Sequence, residues 1–406
     1  MNVIFVEPCF PANQREFVRG LHAAGATVIG IGERPRDWLD PQLSSWLFDY
    51  VQIGSVVNER QLEEAVRGIQ GRLWVDRLEA TVEAHVEAAA NVRERCGIPG
   101  VSARTAYLCR DKPAMKEVLR AAGVPCALST GASSAEEVRD FVDEVGLPVI
   151  LKPRAAAGAA GTWKARTKEE LETAISESGV DRGAPTAVEE FIEGHEGFLD
   201  TITVNGQIAY EFITHYYPNV LEAMRTRWIS PQMVATNRVD AEGYNEVKAM
   251  AQRVIEVLGI PTAATHMEWF IGPKGLKFSE IGCRPPGVCQ WDVYNAGNDI
   301  DLYRDWAMAV CHGRTVQRPS RRFACGMIAL RADRDGRVTH VEGLDEIGKR
   351  YHNDIVAANI PSPGAPAGSV EGGYMAGAWM RVRHPDYDHL RHILNDIGET
   401  VQVRAS

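Results

Sequence analysis

Two hydrophobic periods alternate through the first hundred residues. Short apolar runs at Val3-Ile4-Phe5-Val6, Thr27-Val28-Ile29-Gly30-Ile31, Tyr50-Val51-Gln52-Ile53 and Leu73-Trp74-Val75 read as buried strands. Stretches of helical periodicity over 14–24, 59–69 and 80–95 separate them. Strands alternating with helices predict an open parallel α/β sheet over residues 1–110. The turn after the first strand reads Glu7-Pro8-Cys9-Phe10-Pro11-Ala12-Asn13, without the glycine fingerprint of a dinucleotide site, so the pattern is Rossmann-like and the dinucleotide function is not supported.

The character changes from residue 111. Helices are expected over Asp111–Ala122, Ser134–Val145 and 167–178, with strands over Pro148–Pro153 and Val188–Ile192. A tract of small residues, R-A-A-A-G-A-A-G-T-W at 154–163, follows the first of these strands. These elements make a second unit, 111–190. The remainder, 191–406, reads as strands over 197–204 and 207–214, a helix over Gly243–Leu258, strands within 323–342 around Asp333-Arg334-Asp335-Gly336, a strand over Tyr374–Val382 and a closing helix over Tyr387–Ile397. Residues 215–240 carry no clear period and read as a long loop, a length that is uncommon without a function. Residues 361–373, rich in Pro, Gly and Ala, read as a second loop.

The segment H-M-E-W-F-I-G-P-K-G-L-K-F-S-E-I-G-C-R-P-P-G, 266–287, predicts a hairpin of strands 266–271 and 276–281. A three-residue loop, Pro273-Lys274-Gly275, gives Pro the first turn position and Gly the left-handed one, and sets Glu268 opposite Glu280. Opposed residues share a face with Cβ atoms ~5 Å apart. A two-residue loop would instead put the glutamates on opposite faces. Two facing carboxylates with no cation between them point to a hard divalent ion, Mg²⁺ held jointly with a phosphorylated ligand.

Composition narrows the classes. Of 406 residues 45% are hydrophobic and 24% charged, the profile of an ordinary globular chain. The net charge of −10, with no Lys/Arg block, argues against generic nucleic-acid or anionic-membrane binding. Eight irregularly spaced cysteines without a C-x-x-C pair fit reduced thiols better than a disulfide framework or zinc site. No signal peptide or membrane span is read, so the expected location is cytoplasmic.

Taken singly, the remaining candidates are weak. The small-residue tract after Lys152 suits backbone approach to phosphates but fits no named phosphate motif. Lys112 alone reads as a surface residue, and Glu189 and Glu190 in V-E-E-F-I-E-G-H-E as solvent-facing. Their order is more informative. Asp-Lys opening a helix, Val-Ile-Leu-Lys-Pro before a small-residue loop, Glu-Glu-Phe-Ile-x-Gly-x-Glu, then Glu…Glu-Ile-x-x-Arg resembles the ATP-grasp superfamily over roughly residues 1–400, closest to carboxylate–amine ligases of the L-amino-acid ligase and carnosine synthase kind.

That resemblance implies a mixed α/β and α+β fold: an N-terminal Rossmann-like (pre-ATP-grasp) domain at 1–110, a small lid at 111–190 and a larger antiparallel-sheet domain at 191–406. It implies ATP phosphate contacts from Lys112 and Lys152, with Gly158, Ala159, Ala160 and Gly161 as the phosphate loop. Glu189, Glu190, Phe191 and Ile192 would serve the adenine, Glu196 the ribose, and Glu268 and Glu280 Mg²⁺ (or Mn²⁺). Arg284 would stabilise the transferred phosphoryl group, or simply pair with the glutamates. Many members read Glu-x-Asn where this chain has Glu280-Ile281-Gly282, a departure that bears on the number of metal ions. His266, on the face of Glu268, is a substrate contact or a core histidine. Arg225, Arg227, Trp228 and Gly287 are substrate candidates, with surface roles as the plain alternative. Cys283 and Cys289 lie near this site, and packing is their expected role.

The implied reaction joins a small-molecule carboxylate to an amine through an acyl phosphate. Biotin-carboxylase-like activation of bicarbonate is the alternative, although no Met-Lys-Met attachment sequence is present. A non-catalytic nucleotide-binding protein is a third. A homodimer is common among such proteins.

Overall fold

The computed structural model describes residues 1–155, 161–370, 374 and 377–406. The N-terminal strands β1 (Asn2–Val6), β2 (Thr27–Gly32), β3 (Asp49–Gln52) and β4 (Arg77–Glu79) form a parallel sheet in the order β3-β2-β1-β4. Val3 to Val6 are all buried because helices cover both faces, which is why the run lacks alternation. Helices Gln14–Ala23, Glu59–Gln70 and Glu83–Arg95 match the helical periods. The expected strand at 73–75 is corrected: the fourth strand lies at Arg77–Glu79, and Trp74 stands 77% exposed. Apolar composition misplaced it, since in this short edge strand Leu78 is the core-facing residue.

A second sheet is built from β5 (Ser129–Ala132), β6 (Val149–Pro153), β7 (Trp163–Ala165) and β8 (Thr186–Glu190), in the order β5-β8-β6-β7. The helix Lys112–Ala121 leads into it. Asp111 caps that helix by accepting the Ala114 N–H, and Pro113 sits in the first turn, where a missing donor costs nothing.

The third sheet is antiparallel. Among the described residues it comprises β9 (His195–Val204), β10 (Gln207–Tyr217), β11 (Gln232–Ala235), β12 (Ala263–Gly272), β13 (Gly275–Gly282), β14 (Ala324–Leu330), β16 (Ile355–Asn359) and β17 (Ala378–His384), ordered β13-β12-β9-β10-β11-β14-β17-β16. Strands β15 (Val338–Glu342) and β18 (Gln402–Ala405) pair separately. The segment 215–240 is more ordered than its pattern suggested: β10 runs on to Tyr217, a helical turn spans Val220–Ala223, and β11 follows. All four residues of β11 are buried, so no alternation marks it.

Between the second and third sheets the chain crosses the β12–β13 turn closely enough to require glycine. A Cβ on Gly194 would lie 2.3 Å from the Ile271 carbonyl oxygen, and one on Gly272 2.0 Å from that of Glu193. This crossing seats the end of the second sheet on the hairpin that carries the facing glutamates. Among the described residues no helix is long and apolar enough to cross a membrane.

Candidate active site

Glu268 of β12 stands directly opposite Glu280 of β13, as expected, but by a different route. The turn is a two-residue loop, Pro273-Lys274, closing Gly272 against Gly275, whose φ of +76° only glycine adopts freely. That register alone would have separated the glutamates. A β-bulge restores it: Trp269 pairs Phe278, Glu268 pairs Glu280, and Ser279 is the extra residue. The cause is the core, because Phe278 and Ile281, three apart, are both buried in it. An apolar spacing of three within a strand was the signal that the period-2 reading passed over.

The expected repulsion is offset from the flanks rather than from between. Lys112 Nζ lies 3.3 Å from Glu280 Oε2 and Lys152 Nζ 4.0 Å from the same oxygen. Burial would raise the Glu280 carboxyl, but Lys112 and Lys152 overcome it and hold the group below its usual range. Lys112 is buried, not a surface residue.

The resemblance puts Glu189 at an adenine amino group. In this structure its carboxylate is buried between two ammonium groups, with Lys116 Nζ at 2.7 Å and Lys152 Nζ at 2.9 Å. Against its burial these two cations hold it down at about 2. Lys116 is the residue that sequence reasoning missed. It is 1% exposed, and burial, only partly opposed by Glu189, lowers it to about 8. It lies four residues after Lys112, on the same face of one helix, and that spacing was legible. Glu190 ties the second sheet to the hairpin turn through Lys274 Nζ at 2.8 Å, and its other oxygen accepts the Leu128 N–H within the second unit at 3.0 Å. Lys164 Nζ stands 3.2 Å over the Phe191 ring, and Ile192 is buried.

Glu196, expected at a ribose, is held by the protein itself in this structure. It is buried, accepts the Val220 N–H at 2.7 Å, and is pushed up to about 8 by burial and then by Glu268. Its charge interacts with those of the facing glutamates, which sets it beside them as a further carboxyl. His266 is held on Asp200, Nδ1 to Oδ1 2.7 Å, and Asp200 outweighs the cost of burial to raise the imidazole to about 9. Arg284 does not pair with the hairpin glutamates. Its Nε donates to Glu83 Oε2 at 2.8 Å, at the start of the helix Glu83–Arg95, and Nη1 to the Pro285 carbonyl at 2.9 Å.

The substrate candidates scatter. Arg225 donates to the Thr162 carbonyl at 3.1 Å, beside Gly161 at the end of the small-residue tract. Arg227 pairs with Asp335 at 2.6 Å, which engages it in the third unit, and Trp228 is 87% exposed. These two are not brought to the cluster. Gly287 lies three residues after Arg284, beyond Pro285 and Pro286, and a Cβ there would meet nothing within 4 Å. Gly158, Ala159 and Ala160 lie outside the described residues. Cys283 is buried and Cys289 half-buried, and both are free thiols.

Two buried lysines, Lys112 and Lys116, the partly buried Lys152, an anchored arginine and four carboxyl groups thus converge where the three units meet. The cations suit a polyphosphate and the carboxylates a hard cation. Among the described residues no three His, Cys, Asp or Glu groups are placed to hold a metal by themselves. A cation bound here would therefore take further ligands from phosphate oxygens and water.

A family model described as an ATP-grasp domain matches residues 117–293. Alanine–anticapsin ligase of Bacillus subtilis is 26% identical over 235 residues, 52% of this chain and 48% of that protein. The chain thus spans about half the length of this and several other curated relatives it matches. Formate-dependent phosphoribosylglycinamide formyltransferase of Chlorobaculum tepidum is 29% identical over 349 residues, 84% of each. L-amino acid ligase from Bacillus licheniformis has the same fold, with TM-score 0.78 at 15% identity over 100% of this chain and 98% of that one.

Proposed function

We propose that this chain, whose residues 117–293 match an ATP-grasp domain, is an ATP-dependent carboxylate–amine ligase forming an amide between small molecules, amino acids being the favoured class. The observation that carries the reading is the convergence of Lys112, Lys116 and Lys152 on Glu189 and Glu280, with Glu268 directly across. The names of two relatives, a ligase of alanine and anticapsin and a formate-dependent phosphoribosylglycinamide formyltransferase, fit the same class.

Lys112 and Lys152 would donate to ATP phosphate oxygens, while Glu189 keeps Lys116 and Lys152 charged and in place. Glu268 and Glu280 would hold Mg²⁺ or Mn²⁺, which when bound neutralises phosphate charge. One oxygen of the substrate carboxylate attacks the γ-phosphorus in line, the bond to the bridging oxygen breaks, and ADP leaves. The amine nitrogen then attacks the acyl carbon, phosphate departs, and the amine proton passes to solvent. Arg284, fixed by Glu83, offsets negative charge on the transferred phosphoryl group and on the tetrahedral adduct. Positioning and electrostatics supply the catalysis, so no enzyme nucleophile is required.

The test is Mg²⁺-dependent release of ADP and phosphate with amino acids singly and in pairs, with mass spectrometry of products and Glu280→Gln as the blank. Bicarbonate serves as a separate acceptor. Release that needs a carboxylate and an amine together, with a new amide mass, supports the ligase. Turnover with bicarbonate alone overturns it in favour of carboxylation, and no turnover above the blank overturns it outright.

A further inference from the structure

Behind Glu268 runs a buried polar chain that the reaction scheme above leaves unused. The Tyr294 hydroxyl donates to Asp200 Oδ2. Asp200 Oδ1 takes His266 Nδ1 at 2.7 Å, and His266 Nε2 lies 3.5 Å from Glu268 Oε1. Gln290 donates to Thr214 Oγ1 at 3.1 Å, and Thr214 Oγ1 lies 3.1 Å from the Tyr294 hydroxyl. Tyr294, Asp200, Thr214 and Gln290 are all buried, so these groups have no water to exchange with and stand in one arrangement. The strands explain the alignment: β12 pairs β9 with His266 opposite Asp200, and β9 pairs β10 with Asp200 opposite Phe212, next to Thr214 two residues on.

The contacts on Glu268 are one-sided. His266 approaches Oε1, and so does the Tyr216 hydroxyl, at 3.4 Å. Among the described residues Oε2 has no hydrogen bond, and the side chain is not fully buried. A carboxylate held through one oxygen leaves the other for a further ligand. Glu280 is steadied from its own side by Lys112 and Lys152. The two facing carboxylates are thus each gripped from the outside.

We propose that His266, braced by Asp200 and Tyr294, is a positioning residue that sets Glu268 for a divalent cation, and that it does not contact substrate. Partners behind a metal ligand typically change metal affinity by about 10–100-fold when removed. The proposal rests on the reading of Glu268 as a metal carboxylate, and the test separates the two.

Mn²⁺ binding is measured by electron paramagnetic resonance on the full chain with a non-hydrolysable ATP analogue, alongside KM values for Mg²⁺ and for the carboxylate and amine. His266→Ala is expected to weaken Mn²⁺ by about 10–100-fold and to alter the line shape of bound Mn²⁺. Asp200→Asn is expected to weaken it less and Tyr294→Phe least, following distance along the chain. Circular dichroism checks that each variant is folded, and Tyr294→Phe, which removes one hydroxyl, keeps the series readable where Asp200→Asn does not fold. Glu268→Gln is the control. If it leaves Mn²⁺ binding intact, the metal reading of Glu268 fails. If it abolishes binding while His266→Ala leaves affinity unchanged and raises a substrate KM, the positioning role fails and His266 is a substrate contact.

Discussion

Glu189 shows how much electrostatic work one buried side chain can do. One carboxylate serves two ammonium groups, so removing its charge leaves the buried Lys116 without its ion-pair partner and Lys152 with only the more distant Glu280. Breaking a buried ion pair from one side costs about 3–5 kcal/mol. Glu189→Gln is expected to lose stability of that order in urea denaturation, and a loss under about 1 kcal/mol would show that water reaches the pair. The same group gives the molecule an acid limit. Its folded pKa of about 2 lies below the ordinary 4.5, so the native state binds fewer protons than the unfolded chain. The stabilisation is therefore complete above about 4.5 and is lost as pH falls toward 2. Melting temperature measured across that window should fall with pH in the native sequence and fall less steeply in Glu189→Gln. Trp228, by contrast, is 87% exposed, and Trp228→Ala is expected to leave stability within about 0.5 kcal/mol in the same assay.

Among elements, the β12–β13 hairpin and the crossing over its turn matter most. The strands and the place of the turn were legible from aromatic and β-branched runs around Pro273-Lys274-Gly275, but the loop is one residue shorter than expected. The register was right and its cause was not, because a bulge answers to burial of Phe278 and Ile281 against residues remote in sequence. The close approach of Glu193 to Gly272 was illegible for the same reason, since nothing local marks where another segment will pass. Gly272→Ala would force a Cβ to within 2.0 Å of backbone, so either the crossing segment or the hairpin must move. Overpacking of this kind costs about 1–3 kcal/mol. The expected outcome is a lower melting temperature together with weaker binding of an ATP analogue by calorimetry. Unchanged nucleotide affinity would separate the crossing from the site.

At the scale of the whole molecule, the site belongs to no single sheet. Glu83 comes from the first unit, Lys112, Lys116, Lys152 and Glu189 from the second, and Glu268, Glu280 and Arg284 from the third. A ligand that bridges them should stabilise the assembly as a whole. At a free concentration of 100 times its Kd, an ATP analogue with Mg²⁺ is expected to add about 2.7 kcal/mol, read as a rise in melting temperature. Glu280→Gln should remove much of the Mg²⁺-dependent part, and an equal rise without Mg²⁺ would argue against a metal role for the glutamates. The sequence by itself determined the alternation of the N-terminal sheet, the hairpin, the helix opened by Asp111 and the order of Lys112, Lys152, Glu268, Glu280 and Arg284, because these follow from periods, turns and caps set by near neighbours. Only the tertiary structure decided that Glu189 lies between two lysines, that Glu196 joins the carboxylates, that Arg284 leans on Glu83 and that His266 is backed by Asp200. Each of those last pairings depends on which charges meet in a buried space, and burial of that kind is made by segments tens to hundreds of residues apart.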